Sequence, residues 1–175
     1  MGLASPGVWD GTVRLETTDK LIQEIITSKD FDPNIKIDCI VWETVDGKLG
    51  KGEHAPSPFL NQIIGFSSLT TVSLLLKAGA DPNLKDATQY ARNAMLSFTH
   101  HIAYFEIPTI CDLNATLSAL LQAGAHISMK DGLGHDSPWY LEEAIRRFND
   151  SKNRKQFANV KLQTLREMLS TLSPK

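Results

Sequence analysis

One six-residue string constrains this chain more than any other feature. Leu75-Leu76-Lys77-Ala78-Gly79-Ala80 returns 45 residues later as Leu120-Leu121-Gln122-Ala123-Gly124-Ala125. The match runs on, because Lys85-Asp86 and Lys130-Asp131 stand at the same offset. A more degraded copy, Ile25-Ile26-Thr27-Ser28-Lys29-Asp30, leads into Asp32-Pro33-Asn34-Ile35, which echoes Asp81-Pro82-Asn83-Leu84 at a shift of 49. Glu167-Met168-Leu169 makes a fourth copy, with no glycine after it. Such self-similarity marks a repeated supersecondary unit that buries its apolar face only by stacking on its neighbours.

Each copy carries the same local physics. An apolar helix ends in a small residue and a glycine, which takes left-handed C-cap geometry at little cost. Pro33 and Pro82 then forbid helix continuation and bias the preceding Asp to an extended form. Upstream, Ser57-Pro58-Phe59-Leu60 and Ser137-Pro138-Trp139-Tyr140 each read as a Ser N-cap, a proline at the first helical position and two bulky apolar residues. Thr88 takes the Ser role in the middle copy. With 21 Leu against 6 Val, a helical class is favoured over a sheet.

These strings resemble the ankyrin repeat family. Ser57-Pro58-Phe59-Leu60 stands where the family has Thr-Pro-Leu-His, and Leu75 through Asn83 is close to its helix-end consensus. The 22-residue interval from Ser57 to Gly79 suits an ankyrin helix–turn–helix. The resemblance implies an all-α repeat solenoid, a stack of helix pairs with one β-hairpin finger near residues 35–52. One domain over 1–175 would hold about four uneven repeats, near 1–34, 35–85, 86–130 and 131–175. Family repeats run about 33 residues, whereas these markers lie farther apart. The surplus falls between Asn34 and Ser57, between Thr88 and Gly124, and around the polar run 149–155.

Helices are predicted near 18–28, 57–66, 69–78, 87–104, 112–123, 138–148 and 156–172, with Thr18 or Asp19, Asp112 and Ser137 as N-caps. Ile35 to Lys48 is the one strand-like stretch; its β-branched residues and Asp46-Gly47 predict a hairpin. Trp9, Val13 and Leu15 are predicted to cover the open end of the stack.

Candidate chemistry is thin. His100 and His101 are adjacent, so on a helix they diverge by about 100° and cannot share a metal. Their ordinary reading is one packed and one solvated. Cys111 precedes Asp112 at a predicted helix start, where its thiol would become somewhat more acidic. With His100 or His101 it defines the alternative to a binding protein, an enzyme using the insertions as an active site. No phosphate loop, cofactor motif or metal spacing is present. The helix dipole suffices to explain Glu142-Glu143. No catalytic, cofactor or metal residues are assigned.

Charge is uneven: residues 1–141 carry 10 Lys/Arg and 16 Asp/Glu, whereas 142–175 carry 8 and 4. The basic cluster Arg146, Arg147, Lys152, Arg154 and Lys155 suits a solvated face, or an acidic protein partner before a nucleic acid. Two cysteines make no disulfide framework. The start of the chain lacks a signal-peptide pattern and a myristoylation pattern, and no apolar run is long enough to span a bilayer. A cytoplasmic monomer without membrane or nucleic-acid ligands is expected.

The family resemblance implies a non-catalytic protein-binding module, an inhibitor or adaptor, using finger tips and the first helix of each pair. Trp42, Glu43, Lys85, Asp86, Lys130, Asp131 and His135 are the predicted contact residues. Trp42 is the sharpest of these, with packing of the hairpin onto the stack as its other reading. A fragment of a longer repeat array is a third reading.

Overall fold

The computed structural model describes residues 11–45 and 48–173, with side chains for 16–38 and 54–173. Trp9 and the Asp46-Gly47 turn lie outside the described residues, as do the side chains of Val13 and Leu15. The order of elements is α1 (Gly11–Ile26), β1 (Lys36–Val45), β2 (Lys48–Pro58), α2 (Phe59–Ile63), α3 (Leu69–Lys77), α4 (Ala94–Tyr104), α5 (Leu113–Gln122), α6 (Ser137–Phe148), a 3-10 turn (Ser151–Asn153) and α7 (Leu162–Leu172). The protein is thus mostly helical, with one two-stranded antiparallel sheet among the described residues.

Helices of even number touch in chain order, α2 on α4 and α4 on α6. Those of odd number do the same, α1 on α3, α3 on α5 and α5 on α7. Successive helices also join in pairs: α2 with α3, α4 with α5, α6 with α7. Apolar spacing explains the two rows. Leu113, Leu117 and Leu120 on α5, and Leu165, Met168 and Leu172 on α7, fall three or four apart and are all buried. α4 lies between α2 and α6 and is buried on nearly every side, through Met95, Leu96, Phe98, Ile102 and Ala103.

The two glycine-ended helices close identically. Gly79 (φ 101°) and Gly124 (φ 82°) are left-handed. Ala80 N–H donates to Leu75 O (3.1 Å) and Gly79 N–H to Leu76 O (3.1 Å). Ala125 N–H to Leu120 O (3.0 Å) and Gly124 N–H to Leu121 O (3.0 Å) repeat that Schellman pattern. In the Asp-Pro-Asn strings after α1 and α3, an asparagine ties one unit to the next. Asn34 Nδ2 donates to Gly79 O (3.2 Å) while its Oδ1 accepts from Asp81 N–H (2.8 Å). Asn83 does the same to Gly124 O (3.0 Å) and His126 N–H (2.8 Å). Both asparagines are pre-set by an Asx turn, accepted by Asp32 (2.9 Å) and Asp81 (2.8 Å).

Several predicted boundaries need correction. The return strand β2 runs to Pro58 and absorbs Ser57, which bonds Gln62 instead of capping a helix. α4 begins at Ala94, not near 87, because Asn93 caps it by accepting from Leu96 N–H (3.0 Å). The cap of α6 is Asp136, one residue before Ser137; its carboxylate accepts from Trp139 N–H (3.0 Å). Asp112 does cap α5. Asp19 lies inside α1 and reaches across to hold the cap of α3, accepting from Ser68 N–H (2.9 Å) and Ser68 Oγ (2.6 Å). Residues 154–159 form turns, and 160–161 lead extended into α7. Their side chains take up α4's orphan carbonyls and the loop behind it: Gln156 donates to Ala103 O (2.7 Å) and Asn159 to Ile107 O (2.9 Å).

Candidate interaction surface

Two turns, residues 84–93 before α4 and 129–136 before α6, are built on buried aspartates. Asp86 accepts from Thr88 N–H (3.0 Å) and Arg92 N–H (3.2 Å). Asp131 accepts from Leu133 N–H and His135 N–H (both 2.9 Å), and from the Tyr140 hydroxyl (2.5 Å). Arg92 links the turns: its guanidinium lies 3.8 Å from Asp131 and 4.7 Å over the Tyr90 ring. Both members of this ion pair are buried, so removing either would strand a charge at a cost of about 3–5 kcal/mol. Burial, with help from Asp131, pushes the Tyr140 phenol well up, which keeps it a proton donor to that carboxylate.

Backbone contact joins the turns as well. Gly132 N–H donates to Tyr90 O (2.7 Å), as Ala87 N–H does to Pro56 O of β2 (2.9 Å). A Cβ on Gly132 would fall 1.7 Å from Gln89 O, so glycine is required there by close approach.

This frame presents a small aromatic and apolar surface. Trp139, in the first turn of α6, is 36% exposed and stacks flat on His135 at 3.6 Å with a 5° interplanar angle. Leu133, at the tip of the same turn, is 52% exposed. Tyr140 meets both rings edge-on from beneath, which fixes their orientation. A rigid, part-exposed indole has the character of a binding hot spot, large in area and low in ordering cost.

The predicted contact residues divide accordingly. Lys85 and Lys130 are exposed on successive turns, and His135 is half-buried under Trp139. Asp86 and Asp131 are buried at 7% and 6% exposure and committed to their turns. The backbone of Trp42 and Glu43 lies in β1, at an irregularity in the register, and their side chains lie outside the described ones. Trp139 was legible only as a bulky residue after Ser137-Pro138. The usable signal was its place four residues after His135, across a helix cap.

Residues of the catalytic alternative behave as packing groups. His100 faces Tyr104, Phe105 and Tyr140, whereas His101 faces Gly65, Phe66 and Phe105. Neither is the solvated histidine predicted. Burial holds His101 down at about 4, and burial with the Arg92 charge holds His100 well below its ordinary value. Cys111 moves opposite to the predicted direction. Burial and then Asp112 push its thiol up to about 11, because Asp112 is the cap and its carboxylate adjoins the sulfur. A cavity of about 350 Å³ beside Cys111 is lined by residues 109–114 of the α5 approach and 159–161 and 164 of the α7 approach, with no histidine among them.

Among the described residues, no group of three His, Cys, Asp or Glu could hold a metal ion, and no helix is long and apolar enough to cross a membrane. Compared with known proteins, the chain matches no family model, no curated protein and no solved structure.

Proposed function

We propose that the chain is a non-catalytic ankyrin-type stack of about four uneven helix-pair repeats that binds another protein as a monomer. The repeat reading is supported by the twin Schellman closures and by the twin asparagine bridges of Asn34 and Asn83. It is also supported by the two rows of helices touching in chain order. In this reading the turns are the fingers, and α2, α4 and α6 are the first helices of their pairs. At the third such position, four residues after Gly124, Ser128 stands in place of asparagine.

The observation that carries the binding reading is the Trp139–His135 stack held over a buried, hydrogen-bonded frame, with Leu133 exposed on the same turn as His135. Lys85 and Lys130 are assigned to its rim. Trp42 and Glu43, on the hairpin finger, extend the same surface in this reading. The raised thiol of Cys111 speaks against the enzymatic alternative.

The test compares partner capture by the wild-type chain and by Trp139→Ala, with melting temperature measured on both. Loss of the stack costs the fold about 0.5–1.5 kcal/mol, a shift of only a few degrees. Loss of a hot-spot tryptophan weakens binding by about 2 kcal/mol or more, roughly thirtyfold. Capture unchanged by Trp139→Ala would overturn the assignment.

A further inference from the structure

At the other end of α6 the chain builds a second surface of different chemistry. Residues 149–161 leave α6 through the 3-10 turn and close a cleft of about 370 Å³ against its last turn. Phe148 and Phe157 form its apolar wall, their rings 5.5 Å apart and tilted by 57°, while Asn149, Ser151 and Arg154 line its rim. Ligand pockets span about 300–1,000 Å³, so this one suits a single large side chain. The cleft is preorganised: Gln156 and Asn159 pin the segment to α4 and the loop after it. Arg147 on α6 donates to Gln156 (3.0 Å) and accepts, through its carbonyl, from Asn153 Nδ2 (3.2 Å).

The charge around it is one-sided. Residues 149–161 carry Lys152, Arg154, Lys155 and Lys161 against one carboxylate, Asp150. Asp150 caps the 3-10 turn by accepting from Lys152 N–H (3.0 Å), and the segment keeps a net charge of +3. Ion pairs among the described residues join Arg92 to Asp131 and Arg146 to Glu143, and involve none of these four cations. Lys152, Arg154 and Lys155 are all exposed.

We propose that this cleft binds an acidic peptide segment of a partner protein, which lays one aromatic or large aliphatic side chain into the cleft against the packed Phe148–Phe157 pair while its carboxylates meet Arg154, Lys152 and Lys155. A nucleic acid fits less well. Base stacking needs an open aromatic face, and Phe157 is 5% exposed. The cations also fall within one short segment, residues 152–161, rather than across several elements as a backbone track requires. This site is independent of the Trp139 surface, since the two occupy opposite ends of α6.

The test is fluorescence anisotropy on the full chain with a labelled acidic hexapeptide carrying one central phenylalanine. Saturable binding is expected, weakened at least tenfold when the peptide's phenylalanine becomes alanine and at least tenfold by Arg154→Glu at unchanged melting temperature. Higher salt should weaken it as well, because exposed charges are screened. Trp139→Ala should leave it unaltered. The proposal is overturned by no saturation, by equal binding of the two peptides, or by indifference to Arg154→Glu. Equally tight binding of a single-stranded oligonucleotide overturns it too, as does occupation of the cleft by a second copy, seen as concentration-dependent dimerisation that Arg154→Glu abolishes.

Discussion

Gly132 and Gly134 stand two residues apart in one turn, yet the structure requires glycine at each for a different reason. At Gly132 the demand is space. An alanine Cβ would lie 1.7 Å from Gln89 O and 2.8 Å from its carbonyl carbon, both backbone atoms that no rotamer can move aside. The turn before α6 must therefore lift off the turn before α4, and the 2.7 Å bond from Gly132 N–H to Tyr90 O goes with it. Forced displacement of packed groups costs about 1–3 kcal/mol, and a lost hydrogen bond about 0.5–1.5 kcal/mol. Gly132→Ala should thus cost about 2–4 kcal/mol. At Gly134 the demand is conformational. Its φ is 85° and nothing lies within 4 Å of the added Cβ. Gly134→Ala should then cost only the left-handed penalty of an L-residue, about 1–2 kcal/mol. Urea unfolding of the two variants, read as midpoint shifts at a common slope, separates them. If Gly132→Ala proves no more destabilising than Gly134→Ala, the backbone-to-backbone docking of the two turns is wrong.

Other outcomes follow from the same geometry. Asn34→Ala and Asn83→Ala each remove two bonds between successive units, and urea unfolding should show matching losses of about 1–2 kcal/mol, since both sites are partly wet. A thiol raised from 9.0 to about 11 has roughly a hundredfold less thiolate at neutral pH. Aromatic disulfide labelling of native Cys111 should accordingly be slow at pH 7 and accelerate toward pH 11, whereas fast labelling at pH 7 would revive the nucleophile reading. His101 binds its proton near 4 when folded and near 6.5 when unfolded, so between those values the unfolded chain holds more protons and stability falls as pH falls. Its share is on the order of 3 kcal/mol, fully present above pH 6.5 and lost by about pH 4. His101→Phe, which retains the stack on Phe105, should flatten part of the acid limb in unfolding measured across that window.

What the chain disclosed in advance follows the local nature of the signals. α3 and α5 were placed within a residue because Gly79 and Gly124 stop them and small polar residues start them, all within one turn of the backbone. The start of α4 was hidden because the left-handed residue ahead of it is Ala91 (φ 45°), an identity that advertises nothing. Asp19 looked like a cap for its own helix, whereas it lies inside α1 and braces Ser68, the cap of α3, 49 residues away. The asparagine bridges were visible as Asp-Pro-Asn strings, although their partners, Gly79, Asp81, Gly124 and His126, belong to the next unit. At the surface, Lys85 and Lys130 are exposed, while their neighbours Asp86 and Asp131 turn inward. Exposure of Trp139 could not be read from periodicity, since it depends on how Tyr140 and His135 pack around the cap of α6.

The central claim, a protein-binding face on the turns and first helices, is tested most directly by position-specific photo-crosslinking in the native cell extract. A photoreactive residue in place of Leu133 samples the Trp139 surface; one in place of Ser118 samples the exposed side of α5. The account predicts a discrete crosslinked protein from position 133, absent at 118 and abolished by Trp139→Ala. Crosslinking at 118 in preference to 133, or a product at 133 indifferent to Trp139→Ala, would contradict it.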